Sequence, residues 1–300
     1  MAANSRAALV TGANKGIGLE IVRQLSPKFQ GTVYLTARDV GRGQEAEKKL
    51  QGDGLKNVKF LQMDVNDKKS IEKARDFIKE KHGGLDVLIN NAGILKFVPA
   101  TGPGLPAIDR SFEAVKDTIA TNVTGVLDVC NAFFPILRDH ARIVNVSSEL
   151  GSLAYLKNEE VKKLLTKGDL TVKEVEQAAA DYIKISEKGN AGIDLGYPEQ
   201  FGPYGMSKIL LNAVSRVQQR DLDQDKTRTD LVVNSCTPGY VATDLNNNSG
   251  HRTVQQGADT PVYLATLPPS SGGKPVEPRG EYVDERKVVN WLAGDGWVQM

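Results

Sequence analysis

Thr11-Gly-Ala-Asn-Lys-Gly-Ile-Gly18 is a glycine-rich stretch that directly follows a short apolar run, Ala7 to Val10. From Ile17 to Leu25 apolar residues recur at helical spacing, so the glycines are predicted to lie on a turn from a buried strand into a helix. At such a turn the backbone approaches a pyrophosphate closely, and the helix N-terminus offers unpaired N–H groups to it. The spacing is G-x-x-x-G-x-G rather than the G-x-G-x-x-G of the ordinary dinucleotide-binding fold. We therefore expect a nucleotide site here, and the alternative is a glycine-rich turn without a ligand.

The next predicted strand, Thr32 to Thr36, ends in a residue pair that bears on the choice of nucleotide, Ala37-Arg38. Proteins that bind NAD place a carboxylate near this position to hold the ribose 2′-OH. This chain has no carboxylate there, and the guanidinium of Arg38 is suited to a 2′-phosphate. Lys15 in the glycine turn is a second cation. Both features favour NADPH over NADH, and two solvated surface cations are the alternative.

Strand and helix patterns alternate along the rest of the chain. Such alternation predicts a Rossmann-type α/β fold, a doubly wound parallel sheet with helices on both faces and with ligands at the carboxyl ends of the strands. Residues 1–300 are expected to form one domain, because no change in composition marks a boundary. The further predicted strands cover residues 57–63, 85–89, 142–146 and 231–236, with 280–283 as a last edge strand, and the further helices cover residues 70–82, 112–134 and 204–222.

Two segments interrupt this alternation. Residues 99–106 are rich in Pro and Gly, and they are predicted to form a loop near the carboxyl end of the fourth strand. Residues 155–190 are predicted to form a helical insertion with two short helices. Thr171 and Glu174 have the spacing of a capping box, and the helix that follows carries an apolar stripe that must be buried.

Tyr204-Gly-Met-Ser-Lys208 carries the chemistry that the sequence predicts. A Tyr four residues before a Lys places phenol and ammonium on one face of a helix, about one turn apart. A nearby cation favours the phenolate and lowers a phenol pKa that is normally about 10. Alone this spacing is a weak signal, because chance pairs on helix surfaces look the same. Together with the upstream glycine turn it predicts a proton donor beside a nucleotide cofactor.

Composition and charge argue against several other classes of protein. The 38 basic and 37 acidic residues give a net charge of +1, so no general field attracts nucleic acid or an anionic membrane. Three His without H-x-x-x-H spacing argue against a metal site, and two cysteines, Cys130 and Cys236, form no disulfide framework. We expect no secretory signal, because residues 1–6 lack an apolar stretch, and no apolar run is expected to reach membrane-spanning length. We expect a cytoplasmic protein with reduced thiols.

Six motifs occur in the order typical of one family. They are the glycine turn, Asn90-Asn-Ala-Gly93, Asn122, Val144-Asn-Val-Ser-Ser148, the Tyr204–Lys208 pair and Pro238-Gly239. In these motifs the chain resembles the short-chain dehydrogenases/reductases, and the resemblance extends from Ala7 to Trp291. The long interval between Ser148 and Tyr204 makes it similar in particular to the NADPH-dependent carbonyl reductases of animals, as do residues 35–40, 83–88 and 260–264.

The resemblance implies a role for each catalytic candidate. Tyr204 would be the general acid that protonates the carbonyl oxygen as hydride arrives, and Ser148 would hydrogen-bond that oxygen. Lys208 would hold the nicotinamide ribose and lower the pKa of Tyr204. Asn122 would bend its helix and support a water relay to Lys208. The alternative for each is a polar residue at a strand end or a pair on a helix surface.

The resemblance also implies contacts to the cofactor, NADPH or NADP, and to a small-molecule carbonyl substrate. Asp64 and Val65 would flank the adenine, Asn91 would contact the ribose, and residues 241–243 would contact the carboxamide. The full set of expected cofactor residues is Gly12, Asn14, Lys15, Gly16, Ile17, Gly18, Arg38, Asp64, Val65, Asn91, Ala92, Gly93, Tyr204, Lys208, Pro238, Gly239, Val241, Ala242 and Thr243. The expected substrate residues are Ser148, Glu149, Tyr204, Tyr240 and Leu245.

Three of the substrate residues depart from the mammalian carbonyl reductases. Glu149 stands where those enzymes have an apolar residue, Tyr240 where they have Trp, and Leu245 where they have Met. The implied reaction is NADPH-dependent reduction of aldehydes, ketones and quinones by hydride transfer. The alternatives are a reductase dedicated to one endogenous ketone or steroid, and a non-catalytic NADP-binding sensor. Because the insertion would lie over the helix that starts at Tyr204, a surface through which many such reductases assemble, we expect a monomer.

Overall fold

The centre of the structure is an eight-stranded sheet, seen in a computed structural model that describes residues 5–98, 107–199 and 201–293. The predicted loop at residues 99–106 lies outside these ranges. The strands are β1 (Ala7–Val10), β2 (Thr32–Ala37), β3 (Val58–Gln62), β4 (Leu85–Asn90), β5 (Leu137–Val146), β6 (Val232–Cys236), β7 (Tyr282–Asp284) and β8 (Lys287–Val289). Their order is β3-β2-β1-β4-β5-β6-β7-β8, and every neighbouring pair is parallel except β7 and β8. The predicted Rossmann-type sheet is confirmed, and its strand order reverses between β1 and β4, where sheets of this kind bind ligands.

The edge of the sheet differs from the prediction. The sequence predicts residues 280–283 as the edge strand, but β8 pairs antiparallel with β7 and forms the edge instead. Glu285 and Arg286 have φ angles of 45° and 64°, so they form the kind of two-residue turn that joins paired antiparallel strands. Because Asn-Gly is the usual sequence of such a turn, the pair Glu-Arg does not indicate it.

Helices cover both faces of the sheet. In the described part of the chain they are α1 (Gly16–Leu25), α2 (Val40–Gly52), α3 (Lys68–His82), α4 (Phe112–Ile119), α5 (Gly125–Phe133), α6 (Glu159–Thr166), α7 (Val172–Ser186), α8 (Gly202–Asp223) and α9 (Val254–Ala265). One apolar cluster joins α1, α2 and α9 to the sheet. A second joins α3 and α5, with part of α8, to its other face. The two clusters give the doubly wound arrangement that the alternation predicts.

The predicted helix over residues 112–134 is interrupted. α4 and α5 are separated by a π-helical turn, Ala120–Thr124, in which the N–H of Gly125 binds the carbonyl oxygen of Ala120. π turns are rare and occur frequently at functional sites. This turn contains Asn122, the residue at which the helix is expected to bend.

The same helical run contradicts the expectation that no apolar run reaches membrane-spanning length. By length and composition, Phe112–Ile136 is long and apolar enough to cross a membrane, and it is the one such run in the residues that the structure describes. Most of the run is buried inside the protein. Its apolar side chains belong to two core clusters, one against the sheet and one against α8, so packing of a core helix accounts for its composition.

α6 and α7 occupy the segment in which the sequence predicts two helices. Thr171 and Glu174 form a complete capping box, with the Glu174 carboxylate accepting the N–H of Thr171 at 2.9 Å. The apolar stripe of α7 is buried in one cluster with α4 and α8. The stripe is therefore covered by the chain's own helices.

Candidate active site

The glycine turn joins β1 to α1 at the carboxyl end of the sheet. Gly12 has a φ of +61°, and a Cβ there would lie 2.9 Å from the Cα of Ala92, so a side chain is excluded by both conformation and space. α1 begins at Gly16; its N-cap, Lys15, makes no side-chain cap, and its first turn contains no acidic residue. In contrast, α2, α3 and α4 are capped by the side chains of Asp39, Asp67 and Ser111. The first N–H groups of α1 are thus suited to an anion.

Hydrogen bonds tie the glycine turn to the end of β4. Oγ1 of Thr11 accepts the N–H groups of Asn91 and Ala92 at 3.0 and 2.9 Å. Nδ2 of Asn91 donates to the carbonyl oxygens of Thr11 and Gly12 at 3.0 and 3.1 Å. A Cβ on Gly18 would lie 2.4 Å from this Nδ2. Asn91 therefore fixes the shape of the turn in addition to lining the cleft beside it.

A cleft of about 1160 Å³ runs along the carboxyl ends of the strands. Its volume exceeds that of a typical pocket for one drug-sized ligand. The expected cofactor residues that line it are Gly12, Asn14, Lys15, Gly16, Ile17, Gly18, Arg38, Asp64, Val65, Asn91, Ala92, Gly93, Tyr204, Lys208, Pro238, Ala242 and Thr243, and of the expected substrate residues Tyr204 and Leu245 line it. The predicted residues outside its lining are Asn122, Ser148, Glu149, Gly239, Tyr240 and Val241. Within the described ranges, no group of three or more His, Cys, Asp or Glu side chains could hold a metal ion.

Positive side chains gather where β2 leads into α2. Arg38 and Arg42 both line the cleft and are exposed. Asp39 lies between them, accepts the N–H of Arg42 at 2.8 Å and pairs with its guanidinium at 3.5 Å. Lys15 forms an ion pair with Asp244, with 2.9 Å between Nζ and Oδ2. Arg38 forms no ion pair with any residue that the structure describes, so it is the cation most available to a phosphate.

Tyr204 and Lys208 lie on one face of α8, as their spacing predicts. Nζ of Lys208 is 5.5 Å from the centre of the Tyr204 ring and donates to the carbonyl oxygen of Val146 at 2.8 Å. Ser148 lies near enough to Tyr204 for its hydroxyl to lower the pKa of the phenol, and the carbonyl oxygen of Leu150 would lie 3.4 Å from a Cβ on Gly205. The end of β5 and the first turns of α8 therefore bring Ser148, Tyr204 and Lys208 together.

Burial governs the ionisation of Tyr204 and Lys208. It raises the pKa of Tyr204 to about 12; the hydrogen bond from Ser148 acts against this rise and the charge of Glu149 adds to it. Burial lowers the pKa of Lys208 to about 8, with a small opposing effect of Cys236. The net shift of the Tyr204 pKa in this structure is upward, opposite to the lowering expected from Lys208, and burial is its largest cause. Tyr204 is a protonated phenol at neutral pH.

Asn122 is fully buried in the π turn. Its Oδ1 accepts the N–H of Ile94 at 2.8 Å, and its Nδ2 donates to the Ile94 carbonyl at 2.9 Å and to Oγ of Ser207 at 3.0 Å. A Cβ on Gly93 would lie 3.3 Å from Oδ1 of Asn122 and 3.6 Å from Nζ of Lys208. The Asn122 side chain thus joins the segment after β4 to α8, close to the Lys208 ammonium.

The expected substrate residues Leu245, Glu149 and Tyr240 lie in three different local environments. Leu245 lines the cleft and is 38% exposed. Glu149 begins a short 3-10 turn directly after Ser148, and its N–H donates to Oγ1 of Thr237 at 3.1 Å. Tyr240 is half-buried, and its hydroxyl hydrogen-bonds that of Ser249.

Some cleft residues are missing from the sequence-based prediction. Arg42 lies four positions after Arg38, in the first turn of α2, which starts at Val40, and both line the cleft. Prediction of this helix start from the sequence would have indicated that Arg42 lies near Arg38. Asp244 pairs with Lys15 although they are far apart in the chain, and no local pattern indicates that contact. The other cleft residues that were not expected include Asn66, Ile94, Asp117, Thr121, Ser147, Asn248 and Val254.

The reversal of strand order beside an uncapped helix N-terminus, together with the buried Tyr204–Lys208 pair, defines a class: the dinucleotide-dependent oxidoreductases. The sequence model of the short chain dehydrogenase family matches residues 6–160, and the chain belongs to this family. The resemblance stated from the motifs is confirmed.

The chain is also similar to individual proteins that are named as reductases. The chain is 39% identical over 293 residues to carbonyl reductase (NADPH) 3 of Homo sapiens, covering 97% of this chain and 100% of that protein. It is similar in structure to salutaridine reductase from Papaver somniferum, with a TM-score of 0.81, 33% identity, and coverage of 93% of this chain and 99% of that one. An NADPH-bound carbonyl reductase from chicken fatty liver has a TM-score of 0.65 and 25% identity, with coverage of 96% and 94%.

Proposed function

We propose that this protein is an NADPH-dependent reductase of small aldehydes, ketones and quinones, with Tyr204 as its general acid. The observation that carries the proposal is the placement of Tyr204 and Lys208 on one face of α8, against the end of β5 and at the same end of the sheet as the uncapped N-terminus of α1. The names of the human and chicken relatives, both carbonyl reductases associated with NADPH, support it. We place the enzyme in the cytoplasm and treat the chain as one domain.

The residues of the cleft fit NADPH. The start of α1 would bind the pyrophosphate through backbone N–H groups, because no side chain caps them. Arg38 would bind the 2′-phosphate with two parallel hydrogen bonds, and Arg42 lies on the same side of the cleft. Ala37, at the end of β2, provides no carboxylate for a free 2′-OH. Asp64 and Val65 line the part of the cleft expected for adenine.

The chain's own groups supply the acid side of the reaction. When bound, NADPH supplies a hydride to the carbonyl carbon. Tyr204 holds its proton at neutral pH and gives it to the carbonyl oxygen as negative charge develops there. Ser148 donates a hydrogen bond to the same oxygen and so stabilises that charge. The product is an alcohol, and the Tyr204 phenolate regains its proton from water.

Lys208 would support this proton transfer through the positive charge that it places near the phenol. Its ammonium lies 5.5 Å from the ring of Tyr204 and is held in place by the carbonyl oxygen of Val146. A positive charge at that distance in a buried site stabilises the phenolate that forms. Asn122 positions the segment beside Lys208 through its three hydrogen bonds to Ile94 and Ser207.

The proposal is tested by assaying the purified protein with an aldehyde, a ketone and a quinone, each with NADPH and with NADH. The loss of reduced nicotinamide absorbance gives the rate, and chromatography identifies the alcohol or hydroquinone. We expect a kcat/KM with NADPH at least about tenfold above that with NADH, since a charged hydrogen bond contributes about 1.5–3 kcal/mol. Tight binding of NADPH without turnover of any carbonyl would instead indicate a non-catalytic sensor.

A further inference from the structure

A carboxylate lies beside the proposed catalytic pair. Glu149 directly follows Ser148 and begins the 3-10 turn Glu149–Gly151, which packs on the first turns of α8: a Cβ on Gly205 would lie 3.4 Å from the carbonyl oxygen of Leu150. The charge of Glu149 is near enough to Tyr204 to raise the pKa of that phenol, and it raises the pKa of Tyr155 in the same way. The negative charge of Glu149 thus lies close to the proposed binding position of the carbonyl oxygen.

Glu149 has no direct partner for its negative charge. Its backbone N–H is bound by Thr237, but within the described residues its carboxylate takes part in no hydrogen bond or ion pair. The nearby guanidinium of Arg252 is engaged elsewhere, at 2.7 Å from Glu285 and 3.9 Å from Asp284. Glu149 is half-buried, so its oxygens remain within reach of a ligand. An unpaired carboxylate in such a place is unfavourable unless a cation joins it.

The surroundings of Glu149 oppose its ionised form. Burial raises the pKa of its carboxyl group, and the negative charge of Asp284 raises it further. The charges of Arg252 and His251 act in the opposite direction without reversing the effect. A ligand cation beside Glu149 would favour the carboxylate form and would offset its effect on Tyr204.

Two aromatic pairs include a residue that interacts electrostatically with Glu149, Tyr155 in one pair and His251 in the other. The rings of Tyr155 and Phe201 meet edge to face, with 6.2 Å between their centres. Tyr240, one of the expected substrate residues, packs edge to face on His251 at 5.8 Å. Carboxylates and aromatic rings are the groups that bind an organic ammonium ion, through charge and cation–π contact.

We propose that Glu149 makes this enzyme select carbonyl substrates that carry a positively charged nitrogen, such as amino ketones and amino aldehydes, over neutral and anionic ones. The inference rests on the proposed reductase function and deepens it. Ser148 and Tyr204 hold the carbonyl oxygen, and Glu149 holds the ammonium group of the same molecule. The ion pair with Glu149 would increase the affinity for such a substrate. The positive charge of the substrate would also lower the pKa of Tyr204, and the stronger acid would increase kcat.

The test uses three aldehydes of similar shape. They are benzaldehydes with a para-trimethylammonium group, a para-tert-butyl group or a para-carboxylate, so that the first two differ in charge and hardly in size. The kcat/KM of each is measured with the wild-type enzyme, Glu149→Gln, Glu149→Asp and a control, Glu187→Gln. Glu187 is exposed at the end of α7, outside the lining of the cleft, and its substitution removes the same charge. The ratio of cationic to neutral kcat/KM is the readout, since the intrinsic reactivity of the aldehydes cancels between variants.

We expect this ratio to fall about tenfold in Glu149→Gln, to fall less in Glu149→Asp and to stay unchanged in Glu187→Gln. In the wild type the ratio should also decrease with ionic strength and increase as pH rises through the Glu149 pKa, because the carboxylate is the form that attracts. These two wild-type readouts do not depend on how the variants fold.

Two results would overturn the inference in distinguishable ways. An equal loss of activity on cationic and neutral aldehydes in Glu149→Gln, with no effect of salt on the wild-type ratio, would show that Glu149 has only a structural role. A wild-type enzyme that reduces none of the aldehydes would overturn the proposed function, and the charge preference with it.

Discussion

At the scale of the residue, Tyr204 and Lys208 are both buried, and burial moves their pKa values in opposite directions, to about 12 and about 8. A phenol with a raised pKa keeps its proton until a strongly basic acceptor forms next to it. In the proposed reaction, the carbonyl oxygen becomes such an acceptor only as hydride arrives at the carbon. Tyr204 would therefore give up its proton in the transition state rather than to water beforehand.

Arg38 decides the cofactor in our account, because it lines the cleft and has no ion-pair partner among the described residues. Arg38→Asp should weaken NADPH binding by about 1.5–3 kcal/mol, the contribution of a charged hydrogen bond, and should change NADH binding little. Fluorescence titration with both cofactors measures this. Lys48→Asp, on an exposed position of α2 outside the cleft, is the matched control. Equal weakening of both cofactors by Arg38→Asp would contradict the 2′-phosphate assignment.

At the scale of the element, the sequence predicts what depends on local pattern. The glycine turn, the capping box of α7 and the pairing of Tyr204 with Lys208 all follow from spacings of a few residues. The turn at Glu285-Arg286 could not be predicted, because its φ angles are imposed by strand pairing on residues that do not favour them.

Other features of the site depend on contacts between elements that are distant in the chain, and local sequence patterns do not predict such contacts. The ion pair between Lys15 and Asp244 joins residues that are 229 positions apart in the chain. The pKa of Tyr204 depends on how much of the fold surrounds it, whereas its spacing from Lys208 indicates only the neighbouring charge. Spacing thus predicted that Tyr204 and Lys208 lie close together, and it could not predict that burial would determine the direction of the Tyr204 pKa shift.

The capping box of α7 gives a prediction about this element. Thr171→Ala removes the acceptor for the N–H of Glu174, so the free energy of unfolding should decrease by about 1 kcal/mol. Thr171→Ser keeps the hydroxyl and should restore most of that loss. Urea unfolding followed by circular dichroism measures both variants. If alanine and serine are equally stable at this position, the cap does not hold the helix.

At the scale of the whole molecule, α6 and α7 form an outer layer over the sheet and its helices. Leu165, Val175 and Tyr182 from this layer are buried in one cluster with Ile209 and Val214 of α8. α8 is therefore packed on the sheet on one side and covered by α7 on the other. We propose on this basis that the protein is a monomer, because the surface of α8 is used within the chain.

Light scattering of the purified protein at micromolar concentration tests the monomer proposal. We expect the molar mass of one chain, 32.5 kDa, across a tenfold range of concentration. A stable tetramer would show that the layer formed by α6 and α7 leaves another assembly surface open.

The central claim is that Tyr204 donates the proton in NADPH-dependent carbonyl reduction, and Tyr204→Phe tests it most directly. The substitution removes the hydroxyl and keeps the ring, so the Kd of NADPH should stay within about threefold while kcat falls by about a hundredfold or more. A kcat within a few fold of the wild type, with NADPH bound normally, would contradict the account, because the acid would then have to be another group.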